Sequence, residues 1–149
     1  MTYSVSFKTK WADFDANKHM RHTAYNDYAA ECRISFFREH GLSAEFFESE
    51  NFGPILFEES TSFRREIKMG ESLNIDMVLK ASSKHAERFK ILHHVYKEDG
   101  TLAAKINVFI AWIDLVKRKL ITPPISAIKM LDAIDRTDDF EEILLKNSR

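Results

Sequence analysis

Hydrophobic and polar positions along the 149-residue chain follow two different periods. Val5, Phe7, Thr9 and Trp11 alternate with polar residues, which predicts a strand. From Thr23 the spacing changes: Tyr25, Tyr28, Ala29, Cys32 and Phe36 fall at i, i+3, i+4, i+7 and i+11, and Gly41 follows as a stop. This predicts a helix of about 18 residues, capped near His22 or Thr23, with Asp27 in its first turns where the dipole favours a negative charge. Ile34 and Phe37 widen its apolar face, as expected of a helix wrapped by other structure. A short second helix is expected over Ala44 to Glu50.

The rest alternates with period two. Extended segments are predicted over Ile55 to Ile67, across Leu73, Ile75, Met77 and Leu79, and across Phe89, Ile91, His93 and Val95. Lys97-Glu98-Asp99-Gly100 reads as a hairpin turn. The longest run, Leu102, Ala104, Ile106, Val108, Ile110 and Trp112, also carries apolar residues on its other face (Ala103, Phe109, Ala111, Ile113). That pattern suits a central strand or one covered by a partner subunit. After Pro123-Pro124 the pattern predicts a helix over Ile125 to Ile134, and Phe140 to Leu145 reads as a further helical turn. The order is α+β, a single domain over 1–149 with its core at about 3–124 and a helical tail at 125–149.

Charge and composition narrow the function. A formal net charge of −1 lacks the excess of Lys and Arg that nucleic-acid binding needs. No apolar run approaches the roughly 20 residues of a membrane span. The N-terminus has no signal-peptide pattern, and the single Cys32 fits a reducing compartment, so a cytoplasmic protein is expected.

The chemistry concentrates in DFDANKHMRHTAYNDY, Asp13 to Tyr28. Asp15, His19 and His22 at a helix start could form a metal site, an acid/base site or a helix cap. A metal is not expected, because His19 and His22 sit in a loop and His93 and His94 point to opposite faces of a strand. Cys32, mid-helix on the apolar face, reads as a packed hydrophobe.

Several motifs together resemble the hotdog-fold acyl-CoA thioesterases of the 4-hydroxybenzoyl-CoA thioesterase-like branch. These are Asp13-Phe14-Asp15, His19, His22 and Tyr25, then Glu31-Cys32-Arg33, Met69-Gly70-Glu71-Ser72-Leu73, Ala81-Ser82-Ser83-Lys84 and Trp112-Ile113-Asp114. The resemblance spans roughly residues 3–124. It implies a hotdog fold, a long helix wrapped by an antiparallel sheet. It implies hydrolysis of an acyl-CoA or acyl-carrier thioester with Asp15 as nucleophile or general base and the His22 backbone N–H as oxyanion donor. The His22 side chain and Tyr25 are further candidates for the catalytic set. His19, Ser82, Ser83, Lys84 and Arg88 are the candidates for substrate and CoA binding, with Arg64, Arg65, Lys68 and Lys90 as further cations.

No cofactor is implied beyond the thioester substrate, and a homodimer or homotetramer is. Asp13 is expected to be structural, Glu31 to make a buried ion pair or hydrogen bond, and Phe36, Phe37, Phe46 and Phe47 to fill the core. Lys18 stands where the family carries glycine before the loop histidine, so the loop is expected to take a different path; Arg21 replaces an asparagine. A hotdog protein that binds acyl thioesters or acyl-carrier protein without turnover is the alternative, and a hotdog hydratase a third.

Overall fold

Alternation becomes register in the computed structural model, which describes residues 2–146. Leu73, Ile75, Met77 and Leu79 are buried on one face of β3 (Ser72–Ser83). Phe89, Ile91, His93 and Val95 do the same on β4 (Arg88–Lys97). On β5 (Leu102–Asp114) the buried row runs from Ala104 to Trp112. With β1 (Tyr3–Lys8) and β2 (Phe52–Phe63) these strands form an antiparallel sheet in the order β1-β3-β4-β5-β2. β5 is therefore an inner strand, which accounts for apolar residues on both its faces.

The 3.6-residue period becomes α1 (His22–Glu39), laid across the concave face of the sheet. Ala24, Ala29 and Cys32 are fully buried, flanked by Tyr25, Tyr28, Phe36 and Phe37. The small residues allow close approach to the sheet, and burial pushes the Cys32 thiol up to about 12. Ile34, expected on the buried face, is exposed instead. A helix packed on one sheet keeps an outer side, and Ile34 lies on it.

α2 (Ala44–Glu50) is capped by Ser43, whose hydroxyl accepts from the Phe46 amide at 3.2 Å. Beneath it Phe37, Phe47, Phe52 and Phe89 surround Trp112, and the Trp112 indole N–H donates to the Ala86 carbonyl at 2.9 Å. α3 (Ile125–Asp132) adds Ala127, Met130 and Leu131 to this core.

The expected helical turn at Phe140–Leu145 is not formed. Arg136–Ile143 is a strand, β6, parallel to the far half of β3. β1 covers β3 from Ser72 to Met77, and β6 takes over from Leu79 to Ser83, so each seals half of one edge. A helix here would set Asp138 against Glu141 and Glu142, and Asp139 against Glu142, at repelling i+3 and i+4 spacings. The free edge of β3 offers the backbone partners instead.

One polar group is buried where the pattern called for an apolar one. His93 is fully buried under α1; its Nδ1–H donates to the Asp76 carbonyl at 2.7 Å and its Nε2 accepts from Arg33 Nη1 at 3.1 Å. His94, on the other face, pairs with the Asp76 carboxylate at 3.0 Å. Glu31, expected in a buried pair, is exposed on the outer side of α1, while its neighbour Arg33 turns inward.

Burial, reinforced by the Arg33 charge, pushes the His93 pKa down from 6.5 to about 3. The folded protein thus holds this imidazole neutral while the unfolded chain takes up a proton near its ordinary value. Stability from this site is complete above the unfolded value and is lost as pH falls toward 3, at up to about 1.4 kcal/mol per pH unit. His93→Leu leaves Arg33 without its acceptor, so urea unfolding at pH 7.5 should show a loss of about 2 kcal/mol. Between pH 6.5 and 5 the stability of that variant should decline less steeply than wild type.

Candidate functional site

The segment between β1 and α1 is built by one buried carboxylate. Asp13 closes a single 3₁₀ turn (Trp11–Asp13), accepting from the Lys10 amide at 2.8 Å and from the buried Tyr28 hydroxyl. Burial and this carboxylate together push the Tyr28 phenol well above its ordinary range. Asp13 is structural, as expected. Its carbonyl also holds the Arg21 amide at 2.8 Å, which sets where α1 begins.

Between Asp13 and Arg21 the chain folds into a small hairpin. Phe14 bridges Met20, the Asp15 amide donates to the His19 carbonyl at 3.0 Å, and the Lys18 amide donates to the Asp15 carbonyl at 3.0 Å. Lys18 is left-handed, with φ 63°. The turn between β4 and β5 repeats this pattern: Lys97 N–H to Thr101 C=O at 2.8 Å, Gly100 N–H to Lys97 C=O at 2.9 Å, and Gly100 at φ 88°. Both are three-residue hairpins with a left-handed residue at the bulge. The loop therefore takes the glycine-type path despite Lys18, contrary to expectation. The other side of the hairpin is stitched to the sheet margin by Met20 N–H to Ile67 C=O at 2.9 Å and Met69 N–H to Lys18 C=O at 3.1 Å.

Asp15 sits at the first position of this turn. Its Oδ1 accepts from the amides of Asn17 at 2.9 Å and His19 at 3.2 Å, while Oδ2 has no hydrogen bond among the described residues. Alongside it α1 starts without a side-chain cap. The expected cap at His22 or Thr23 is absent because Arg21 occupies the N-cap position, and Asp27 lies beyond the first turn. The Ala24 amide is taken by the Arg21 carbonyl at 3.0 Å, and the amides of His22 and Thr23 are left without acceptors among the described residues. Asp15, exposed, and His22, at the uncapped start of α1, line the same cleft, and the first amides of a helix are donors without intrahelical acceptors at the positive end of its dipole.

Asp15, His19, His22 and Tyr25 line one cleft of about 440 Å³. Tyr25 is buried in its floor, edge-on to Phe63, and its phenol is raised chiefly by burial. His19 pairs through Nε2 with Glu66 at 3.1 Å. Phe63, Arg64, Arg65 and Glu66, from the end of β2, complete the wall. From the sequence Arg64 and Arg65 are only general cations, and Phe63 and Glu66 carry no signal. No local pattern ties them to Asp15; only the path of β2 along the sheet does.

Ser82, Ser83, Lys84 and Arg88 are not brought to this cleft within one chain. They lie at the other end of β3, roughly 35 Å away along the strand. Ser83 is buried and tied to its own turn: its hydroxyl donates to Glu87 at 2.8 Å and accepts from the Arg88 amide at 3.0 Å. Lys68 flanks His19, and Lys90 lies over the Phe109 ring on the outer sheet face. Among the described residues no three His, Cys, Asp or Glu side chains converge as a metal set, and no helix is long and apolar enough to cross a membrane.

Comparison with known proteins agrees with this architecture. The model of the thioesterase-like superfamily matches residues 9–142. No protein with a curated description matches the sequence. Among solved structures, a Staphylococcus aureus protein in complex with CoA superposes with a TM-score of 0.83 at 23% identity, covering 89% of this chain and 82% of that one. A 1,4-dihydroxy-2-naphthoyl-CoA thioesterase from Synechocystis superposes at 0.80 with 19% identity, covering 92% and 100%. These likenesses establish a shared hotdog fold.

The hairpin geometry makes a reciprocal test. Lys18→Gly removes a strained left-handed lysine and should raise stability by about 0.5–1 kcal/mol, whereas Gly100→Lys should cost a similar amount. Paired thermal melts of the two variants check both signs.

Proposed function

This chain belongs to the thioesterase-like superfamily, and on that footing we propose that it hydrolyses an acyl-CoA or acyl-carrier thioester to the free acid and thiol, with Asp15 as the reacting carboxylate. The observation that supports this reading is a cleft lined by Asp15, whose Oδ2 accepts no hydrogen bond among the described residues, and by His22 at the uncapped start of α1.

A thioester carbonyl gains negative charge as it is attacked. The unpaired amides at the start of α1 are rigid donors for that oxygen, and loss of one such donor costs on the order of 10²–10³ in rate. Asp15 either attacks the carbonyl carbon through Oδ2, expelling the thiolate and leaving a mixed anhydride that water then hydrolyses, or takes a proton from a water that attacks the carbon and expels the thiolate. The Asn17 and His19 amides on Oδ1 hold the carboxylate in place during either course. The His22 side chain, at the rim, is placed to orient the carbonyl or the water. Tyr25, with its hydroxyl toward the Ile67 backbone, forms the floor rather than a proton donor. The chemistry draws on no cofactor beyond the thioester itself.

The reading includes a homodimer. β2, 12 residues long with a bulge at Phe57, has an outer edge with no partner among the described residues, and Leu56, Phe57 and Phe63 on it are exposed. In the proposed pairing of this edge with its two-fold copy, the CoA-binding role is assigned to the Ser82–Lys84 turn and Arg88 of the second copy, across the interface from Asp15.

Asp15 Oδ1 is already committed to its own loop, and this favours one competing reading: a protein that binds thioesters without turnover. A panel of acyl-CoA substrates with a free-thiol assay separates them. Wild type should release thiol, and Asp15→Asn should lose at least ~10² in kcat/KM, about 2.7 kcal/mol. Undiminished turnover by Asp15→Ala would refute the assignment. A melting temperature raised by acyl-CoA with no thiol release would favour binding alone. Mixing Asp15→Asn with a Lys84→Gln/Arg88→Gln chain should recover activity in mixed dimers, because one of their two sites is then intact.

A further inference from the structure

The cleft carries two arginines that the hydrolytic step does not use. The amides of Arg64 and Arg65 both donate to the Ala103 carbonyl, at 2.7 and 3.0 Å, so a bulge at the end of β2 fixes the backbone of both. Neither guanidinium has a carboxylate partner among the described residues. Arg65 Nη1 donates only to the Arg64 carbonyl, at 3.0 Å. The adjacent carboxylate, Glu66, is engaged by His19 at 3.1 Å.

Both arginines line the Asp15 cleft, and both also line a second hollow of about 280 Å³ with Thr101 and Leu102. They therefore form the wall between the reacting carboxylate and an adjoining space. Two exposed guanidinium groups without a carboxylate partner among the described residues present planar donor forks that match a phosphate or carboxylate.

We propose that Arg64 and Arg65 form an anion-recognition subsite that selects thioesters carrying a negative group at one end of the molecule whose carbonyl lies at Asp15. This rests on the hydrolase reading above for the position of the carbonyl. The anion is a phosphate of the thiol carrier or a carboxylate at the far end of the acyl group. Contacts remote from the reacting carbonyl act on ground and transition states alike, so their loss raises KM and spares kcat.

Four probes separate the sources: succinyl-CoA, butyryl-CoA, and the succinyl and butyryl thioesters of N-acetylcysteamine. Arg64→Gln/Arg65→Gln should raise KM about tenfold or more, with kcat within threefold. A loss confined to the two CoA thioesters identifies the phosphate, and one confined to the two succinyl thioesters identifies the carboxylate. An effect equal on all four probes, or none, overturns the subsite. Calorimetric titration of the same probes into Asp15→Asn, with and without the arginine changes, reports binding independently of turnover. If wild type cleaves none of the four yet binding still depends on the arginines, the hydrolase reading falls and the anion subsite stands.

Discussion

The rotational phase of α1 against the sheet is the constraint on which the cleft depends. Ala24, Ala29 and Cys32 meet the strands at full burial, with aromatic residues on either side. Each large side chain taken from water contributes roughly 1.5–3 kcal/mol. A slip of one residue would turn the helix by about 100° and expose that face. With the phase set by packing, the helix begins next to Arg21, whose amide the Asp13 carbonyl holds, and His22 at its first position lines the cleft with Asp15. A core requirement therefore positions a polar site that makes little packing contribution of its own.

Much of this was legible because burial imprints a period. The strand faces, the bounds of α1 and α2 and the hairpin at Lys97–Gly100 all follow from spacing and turn chemistry. The C-terminal strand was not, because Arg136–Ile143 is selected by the open half of the β3 edge, a feature of tertiary structure. The Lys18 loop misled for a different reason: residue preference suggested another path, and the stitches to Ile67 and Met69 outweigh it. At the cleft, Asp15, His19, His22 and Tyr25 were legible because they are close in sequence. Phe63 and Glu66 were not, since they reach the same place from a strand some 40 residues later.

The buried pair of Arg33 and His93 sets two ionisable side chains in the interior. A guanidinium held among apolar residues must find hydrogen bonds, and the neutral imidazole supplies an acceptor while its own Nδ1–H donates to the Asp76 carbonyl. This fixes the ring tautomer and excludes His93 from proton transfer at neutral pH. It also ties α1 to β4 and β3 at one point, so the helix is located by direction as well as by area.

The two borders of the sheet are unlike. On one side β1 and β6 run in opposite directions along β3, each short, and β6 carries Asp138, Asp139, Glu141 and Glu142. An incoming strand would meet a reversal of polarity halfway and a row of like charges. On the other side β2 is long and uninterrupted in direction. Sheet growth has one usable border per chain, and joining two such borders consumes both. The homodimer proposed above would use that border in both chains and leave none of the same kind for further growth.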